Sequence, residues 1–218
     1  SNAVLDTGGV LSLTLTAKAA THEGTDGADT LSLVGAQEIV LAGNGDDVIQ
    51  GLSTEDIAYG QHGDDKFAGA LDFKRIDGGE GVDQLAVTDT VADFRTVDGA
   101  RIDRVEVLNF ADLDGIDVVS LNEAAVRRIV DGMNALTGEM HSLVVMGDAD
   151  DQLSLYGDYV QTGTVNLDVD GFGVQSFTVF ESSGSKVFVV SALVPNTTFE
   201  FSSPVQVSDE FEIGRAHV

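Results

Sequence analysis

The sequence predicts a mainly β fold in which short strands stack as regular coils through the first half of the chain. Glycine-aspartate windows recur every 18 residues, an apolar residue recurs every nine residues, and the 218-residue chain has 25 glycines against 2 prolines. Fixed-period self-similarity is the signature of repeat architectures, and short apolar runs between turn residues indicate strands. The second half predicts a β-rich segment with one helix and antiparallel hairpins.

The repeat consists of four windows that start 18 residues apart. They are GTDGADTLS at Gly24, AGNGDDVIQ at Ala42, GQHGDDKFA at Gly60 and GGEGVDQLA at Gly78. The fourth residue of every window is glycine, the sixth is aspartate and the eighth is large and apolar. The sixth-position residues are Asp29, Asp47, Asp65 and Asp83, and the eighth-position residues are Leu31, Ile49, Phe67 and Leu85.

Nine-residue windows without the glycines separate the repeats. Their eighth positions are Val40, Ala58 and Ile76, so an apolar residue recurs throughout. Two such windows make one coil, with one glycine-aspartate turn and one unspecialised turn. We therefore expect an interior column of Leu31, Val40, Ile49, Ala58, Phe67, Ile76 and Leu85.

Stacking at the parallel-sheet spacing of about 4.8 Å aligns the sixth-position aspartates in a column. Carboxylates this close repel one another, and a hard divalent cation with oxygen ligands removes the repulsion. Oxygen-only ligands favour calcium over zinc. The pattern predicts about three calcium ions, one between each adjacent pair of the four aspartates.

The opposite edge of the coils carries a different set of sixth-position residues. Lys74 is expected to keep its part of that edge free of metal, because it would repel a cation. Glu38 and Asp56 leave one weak site open on the same edge.

The segments that flank the repeat are read from their periodicity. VLSLTLTAK, before the repeat, predicts a half-buried capping strand. Residues 101–121 remain strand-like, and a helix is expected at about 122–135, capped by Asn122. Its apolar stripe is Ala125, Val126, Ile129, Val130 and Met133.

The segment SLVVMGDADDQLSL predicts a strand, a turn and a second strand. Turn signals at Asp170-Gly171 and Ser183-Gly184 predict antiparallel hairpins within about 160–203.

These segments divide the chain into residues 4–100, residues 101–204 and a tail at 205–218. Ser1–Ala3 resembles a tag-cleavage scar, and the end of the tail is compatible with translated sequencing adapter.

Composition excludes several classes of function. The chain has 37 acidic and 11 basic residues, a formal net charge of −26, which argues against a nucleic-acid partner. It contains no cysteine, which excludes disulfides and thiolate metal sites. No apolar run is long enough to span a membrane. No metalloprotease, nucleophile-elbow or phosphate-loop motif occurs, so we expect no enzymatic activity in these residues.

The four windows resemble the repeats-in-toxin (RTX, hemolysin-type) nonapeptide G-G-x-G-x-D-x-U-x, in which U is large and apolar. GGEGVDQLA fits at every defined position, and each other window lacks one glycine. The resemblance covers about 24–95. It implies a right-handed parallel β-roll in a secreted bacterial protein, such as a toxin, a hydrolase or an adhesin exported by type I secretion.

The resemblance also implies the calcium ligands. They are the side chains of the four sixth-position aspartates and the turn backbone at Gly24, Asp26, Gly27, Gly43, Asn44, Gly45, Gly60, His62, Gly63, Gly78, Glu80 and Gly81. The sequence departs from the family where the intervening windows lack glycines. His62 also replaces the usual Asn or Asp, which we expect to loosen its turn.

Residues beyond 100 resemble, more loosely, a module beside RTX repeats in very large bacterial adhesins and surface proteins. Within it Asp148, Asp150 and Asp151 are either another calcium turn or a solvated loop. Two functions remain open: a calcium-stiffened structural or adhesive module with a cell-surface or host ligand, and the calcium-responsive export segment of a secreted hydrolase or toxin. A carbohydrate-binding module is a weaker third, because aromatic residues make up only 6% of the chain and Trp is absent.

Overall fold

A computed structural model describes residues 12–15, 21–35, 37–97, 101–110 and 117–200. Short strands alternate between two parallel sheets through the repeat. They are β1 (Ser12–Leu15), β2 (Thr21–Glu23), β3 (Thr30–Leu33), β4 (Ile39–Asn44), β5 (Val48–Leu52), β6 (Ile57–His62), β7 (Lys66–Gly69), β8 (Arg75–Glu80) and β9 (Gln84–Val87). The odd-numbered strands share one sheet and the even-numbered strands share another, as expected for a mainly β fold with parallel sheets.

Each strand of the repeat pairs with the equivalent strand one repeat away. Ile49 lies opposite Leu31, and Phe67 lies opposite Ile49. The predicted 18-residue period is therefore the register of the ladder. The predicted interior column is confirmed, because all seven of its residues are fully buried. The expected capping strand is present as β1, which pairs in parallel with β3.

The first sheet continues beyond the repeat, and a third parallel sheet joins it. The next elements are β10 (Val91–Asp93), β11 (Ile102–Asp103), β12 (Val107–Asn109), β13 (Val118–Asn122), α1 (Glu123–Val130), β14 (Met133–Asn134), β15 (Glu139–Met140), β16 (Ser142–Met146) and β17 (Gln152–Tyr156). Strand β12 pairs in parallel with both β9 and β16. One sheet therefore lies on both sides of the domain division expected at residue 100.

Helix α1 is shorter than the predicted 122–135. Asn122 caps it as expected, with its side-chain oxygen accepting from the Ala125 N–H at 2.8 Å. The helix ends at Val130 because Asp131 adopts a left-handed conformation with φ 36°. Met133 was wrongly placed in the buried stripe, since it lies in β14 and is 63% exposed. The other four stripe residues are buried.

The C-terminal segment contains the predicted hairpins. Its elements are β18 (Val160–Val169), β19 (Gly173–Ser182), β20 (Ser185–Val190), a 3₁₀ helix (Val194–Asn196) and β21 (Thr197–Glu200). Strands β18, β19 and β20 are antiparallel, and they reverse at the two turn signals identified in the sequence. Strand β21 differs from the prediction because it pairs in parallel with β17.

A single hydrophobic core runs through the described residues from Leu31 to Leu193. The hairpin tip also contacts the repeat, since Asp170 forms an ion pair with Lys66 at 2.6 Å. Among the described helices there is none with the length and apolar character needed to cross a membrane. The expected tail at 205–218 lies outside the described residues.

Candidate metal centre

A column of buried carboxylates lies where the chain enters the strands of the first sheet. Asp29, Asp47, Asp65 and Asp83 are each at most 1% exposed. Each aspartate precedes an inward-facing apolar residue by two positions, as Asp65 precedes Phe67. Residues two apart in extended chain share a face, so the burial of the apolar residue draws the aspartate towards the interior.

Hydrogen bonds connect the column from coil to coil. The N–H groups of Asp29, Asp47 and Asp65 donate to the Oδ1 atom of the aspartate in the next coil, at 2.7, 2.8 and 2.9 Å. The Asp83 N–H donates to Glu106 Oε2 at 2.8 Å, which adds a fifth carboxylate to the column. Hydrogen bonds to an ionised acceptor are short and strong, so this ladder fixes one oxygen each of Asp47, Asp65 and Asp83.

The second oxygen of three aspartates lacks a comparable partner. Within the described part of the chain, Oδ2 of Asp47, Asp65 and Asp83 is buried and accepts no hydrogen bond. A buried carboxylate oxygen without a donor is costly, because it has lost water and gained nothing in return. These three atoms are therefore the positions in the column where a cation would be most stabilising.

The unpartnered oxygens of Asp65 and Asp83 face backbone carbonyls of the following coil. A Cβ placed on Gly60 would collide with both Asp65 Oδ2 and the carbonyl oxygen of Gly78. A Cβ on Gly78 would collide with both Asp83 Oδ2 and the carbonyl oxygen of Arg104. Glycine at the first position of the turn therefore leaves room between a carboxylate oxygen and a carbonyl oxygen.

Burial raises the pKa of the acids in this column. The pKa of Asp47 rises to about 7 and that of Asp65 to about 8, mainly through loss of water and further through neighbouring carboxylates. The same loss of water raises the pKa of Asp83 and of Glu106 to about 7. The column thus holds its negative charge poorly without a cation.

The three turns with an unpartnered oxygen share a backbone conformation. Their second residues are left-handed, with φ 118° at Gly43, 84° at Gln61 and 121° at Gly79. Gln61 is not glycine, so this conformation is strained there. The expected loosening at His62 is not visible in the backbone pairing, because His62 lies in register with Glu80 within the ladder. The strain falls on Gln61.

The first turn differs from the other three. Thr25 occupies its second position without a positive φ. Its N–H donates to Asp29 Oδ2 at 2.6 Å, and its hydroxyl donates to Asp29 Oδ1 at 3.1 Å. Thr is β-branched and poorly suited to a left-handed conformation. Asp29 is consequently satisfied by its own turn.

The remaining predicted turn residues contribute through their backbone or to neighbouring turns. The carbonyls of His62 and Glu80 accept from the N–H groups of Gly45 and Gly63, both at 2.9 Å. Asp26 accepts from the side-chain amide of Asn44 at 2.6 Å. These contacts join neighbouring coils.

The opposite edge has the same coil-to-coil hydrogen bond, but its carboxylates have different side-chain and turn partners. Asp56 is buried, and its Oδ1 accepts from the Glu38 N–H at 2.9 Å. Its Oδ2 accepts from the N–H of Ser53 at 2.8 Å and from the Ser53 hydroxyl at 3.2 Å. The carboxylate of Glu38 lies 3.6 Å from Nε2 of His22. Lys74 is exposed and lies 4.0 Å from Glu55.

The turn at Asp148, Asp150 and Asp151 is organised by its own hydrogen bonds. Asp151 is buried, and its oxygens accept from the Asp117 N–H at 3.1 Å and the Asp148 N–H at 2.7 Å. Asp148 accepts from the Asp150 N–H at 2.8 Å. Asp151 therefore resembles Asp56 more closely than Asp65, and its proposed role in calcium binding stays a prediction.

Side chains alone do not form a metal site here. In the described part of the chain, no group of three or more His, Cys, Asp or Glu residues could hold a metal ion. A cation in the column would need backbone oxygens as well as carboxylates, which is the ligand set of calcium rather than zinc. The unpartnered oxygens and the glycine cradles fit that requirement.

No protein-family model, curated protein or solved structure matches the chain. The assignment of a function therefore depends on the geometry of the column. Sequence reasoning missed Glu106, because it follows Asp83 by 23 residues and breaks the period. The signal that could have found it is an acid two residues before an inward apolar residue, here Leu108, which is fully buried.

Proposed function

We propose that residues 24–95 form a right-handed parallel β-roll of RTX type that binds calcium. The observation that carries the proposal is the set of unpartnered buried oxygens on Asp47, Asp65 and Asp83. They occur in three turns whose second residues share a left-handed backbone. Calcium would neutralise the column and complete the coordination of these oxygens.

Asp65 is central to the proposed site. Its Oδ2 faces the carbonyl of Gly78 across a space that only glycine leaves open at position 60. Its Oδ1 is already engaged by the Asp47 N–H. We therefore assign Oδ2 to the cation and Oδ1 to the link between coils.

Calcium-dependent folding follows from the thin core of the repeat. Each nine-residue half-coil contributes about one large inward residue, which stabilises by roughly 1.5–3 kcal/mol. Ordering each residue of the half-coil costs roughly 1–2 kcal/mol of conformational entropy. An ion that binds only the folded state adds stability by mass action. Extracellular calcium modules work at dissociation constants of roughly 10⁻⁴–10⁻³ M.

We further propose that the chain is a non-enzymatic structural or adhesive module of a large secreted or cell-surface bacterial protein. The buried acids lie in a stacked column that links coils, which suits a stiffening role. The complete open reading frame tests this role. A long repetitive surface protein is the expected result, whereas an upstream hydrolase or toxin domain would replace the adhesive role with an export segment.

Calcium titration of the whole chain tests the binding proposal. Isothermal calorimetry should show saturable binding, accompanied by a gain of β signal in circular dichroism. Asp65→Asn should lower the number of ions bound, because it removes a charged oxygen that faces the cation. Asp56→Asn is the matched control, since both oxygens of Asp56 already accept protein hydrogen bonds. Absence of calcium binding by the unmodified chain would refute the proposal.

A further inference from the structure

We propose that a calcium ion lies between Asp83 and Glu106, one coil beyond the last repeat, and that the gap between Asp29 and Asp47 holds none. The inference rests on the proposed calcium-binding function and changes where the ions sit. The sequence period alone places them in the gaps 29/47, 47/65 and 65/83. The geometry points to 47/65, 65/83 and 83/106.

The direction in which each unpartnered oxygen faces carries the first step. Asp65 Oδ2 faces the carbonyl of Gly78, which belongs to the following coil. Asp83 Oδ2 faces the carbonyl of Arg104, also in the following coil. Asp83 Oδ2 is buried and accepts no hydrogen bond from the described residues. Its open coordination position is therefore directed towards the Arg104 carbonyl, in the coil that also contains Glu106.

Glu106 occupies the place of the next sixth-position aspartate. It is 5% exposed, and its Oε2 accepts the Asp83 N–H at 2.8 Å, just as Asp83 Oδ1 accepts the Asp65 N–H. Leu108 lies opposite Leu85 in the ladder, so the register is retained although the spacing has grown. The column thus contains a fourth gap that the nonapeptide motif does not encode.

The charges around this gap favour a cation. Asp83 and Glu106 are both buried. The carboxylate of Asp64 and the guanidinium of Arg104 act on both acids with opposite sign. The nearby guanidinium of Arg104 is committed to Asp77, with Nη2 and Nε lying 2.6 and 2.8 Å from Asp77 Oδ1. Arg104 itself is left-handed with φ 52°, a strained conformation for a residue other than glycine. It presents its carbonyl to the gap.

The first gap has the same glycine cradle, because a Cβ on Gly24 would collide with both Asp29 Oδ2 and the carbonyl oxygen of Ala42. It differs in one hydrogen bond. Asp29 Oδ2 receives the Thr25 N–H at 2.6 Å, so this oxygen already has a donor. An N–H aimed at the carboxylate would repel a cation placed beside it. The motif at 24–32 therefore forms a turn, but its aspartate lacks the unpartnered Oδ2 atom found in the other three turns.

A pair of conservative variants tests the inference by ion count and by position. Glu106→Gln keeps a carbonyl oxygen for the Asp83 N–H and removes the charge, and Asp29→Asn makes the same change at the first turn. Calorimetric titration of the whole chain should find one fewer ion in Glu106→Gln and an unchanged number in Asp29→Asn. Circular dichroism in excess calcium verifies that both variants fold.

A crystal structure grown in calcium provides the second measurement. Anomalous density between Asp83 and Glu106, with none between Asp29 and Asp47, is the expected result. Density in the first gap, or an Arg104 guanidinium in place of an ion at Glu106, would overturn the inference while leaving calcium binding elsewhere intact. Absence of calcium throughout the column would instead refute the proposed function.

Discussion

The two edges of the repeat both bury stacked carboxylates, but their carboxylates are stabilised in different ways. Both stack a buried carboxylate on the coil before it and use one oxygen to accept a backbone N–H, as Asp65 does on the glycine edge and Asp56 on the opposite edge. Asp56 and Asp65 differ at the second oxygen. Ser53 donates two hydrogen bonds to Asp56 Oδ2, whereas Asp65 Oδ2 receives none from the described residues.

The difference teaches that an aspartate in a stacked turn does not by itself indicate a metal. Asp29, Asp56 and Asp151 are each capped by an N–H from their own turn, donated by Thr25, Ser53 and Asp148. Asp47, Asp65 and Asp83 lack such a cap among the described residues. A left-handed residue at the second position accompanies each uncapped aspartate. The backbone conformation of the turn therefore decides whether the second carboxylate oxygen receives a hydrogen bond from its own turn.

Chelation is expected to separate the edges most strongly. Removing calcium should speed hydrogen exchange at the amides of Asp47 and Asp65 first, less at the amide of Glu38, and least in α1. An ion present at about 100 times its dissociation constant stabilises by about 2.7 kcal/mol, which corresponds to about a hundredfold slower opening. Mass-spectrometric or NMR exchange with and without chelator measures this. Equal protection of residues 24–95 in both conditions would contradict stabilisation of the repeat by calcium.

Matched substitutions should have opposite signs in the metal-free protein. Asp65→Asn replaces an unpartnered charged oxygen with an amide that can donate to the Gly78 carbonyl, so it should stabilise by about 1–3 kcal/mol. Asp56→Asn places an NH₂ group against the donors of Ser53 and should destabilise by about the same amount. Urea unfolding in chelator at pH 8 provides the comparison. A loss of stability in both variants would show that the edges are equivalent.

The pH dependence of the metal-free protein follows from the same charges. Asp65 has a pKa of about 8 in the folded state against 3.8 ordinarily, and Asp47, Asp83 and Glu106 rise to about 7. Folding therefore takes up protons between about pH 4 and 8, and stability falls as pH rises through this window. Below about pH 4 both states are protonated and the penalty disappears.

Unfolding in chelator at several pH values measures this slope. Asp65→Asn should flatten it, whereas Asp56→Asn serves as the control that retains all four shifted acids. Because the proposed calcium ions would bind the ionised acids, the affinity for calcium should rise over the same pH range, with release of protons. Stability of the metal-free chain that is unchanged between pH 5 and 8 would contradict the assignment of raised pKa values.

The sequence reached the period, the register and the interior of the repeat because these depend on strict spacing. Phe67 and Ile49 are fully buried, and both occupy the eighth position of a window that repeats every 18 residues. Spacing could not reveal Glu106, which follows a longer coil, or the cap that Thr25 provides. Both depend on where a single N–H points. The early end of α1 likewise depends on the left-handed Asp131, which helical periodicity does not encode.

The smallest expected effect concerns the one non-glycine among the left-handed second positions. Gln61 has φ 84° and lies in register between Gly43 and Gly79. Relief of its strain is worth about 1–3 kcal/mol, but glycine gives back about 0.5–1 kcal/mol through the unfolded chain. Gln61→Gly should therefore stabilise by about 1 kcal/mol in calcium.

Gln61→Ala is the control, because alanine keeps the strain. Thermal unfolding should rank glycine above the unmodified chain and alanine near or below it. If alanine stabilised as much as glycine, the gain would come from loss of the Gln side chain, and strain in this turn would be no part of the difference between the edges.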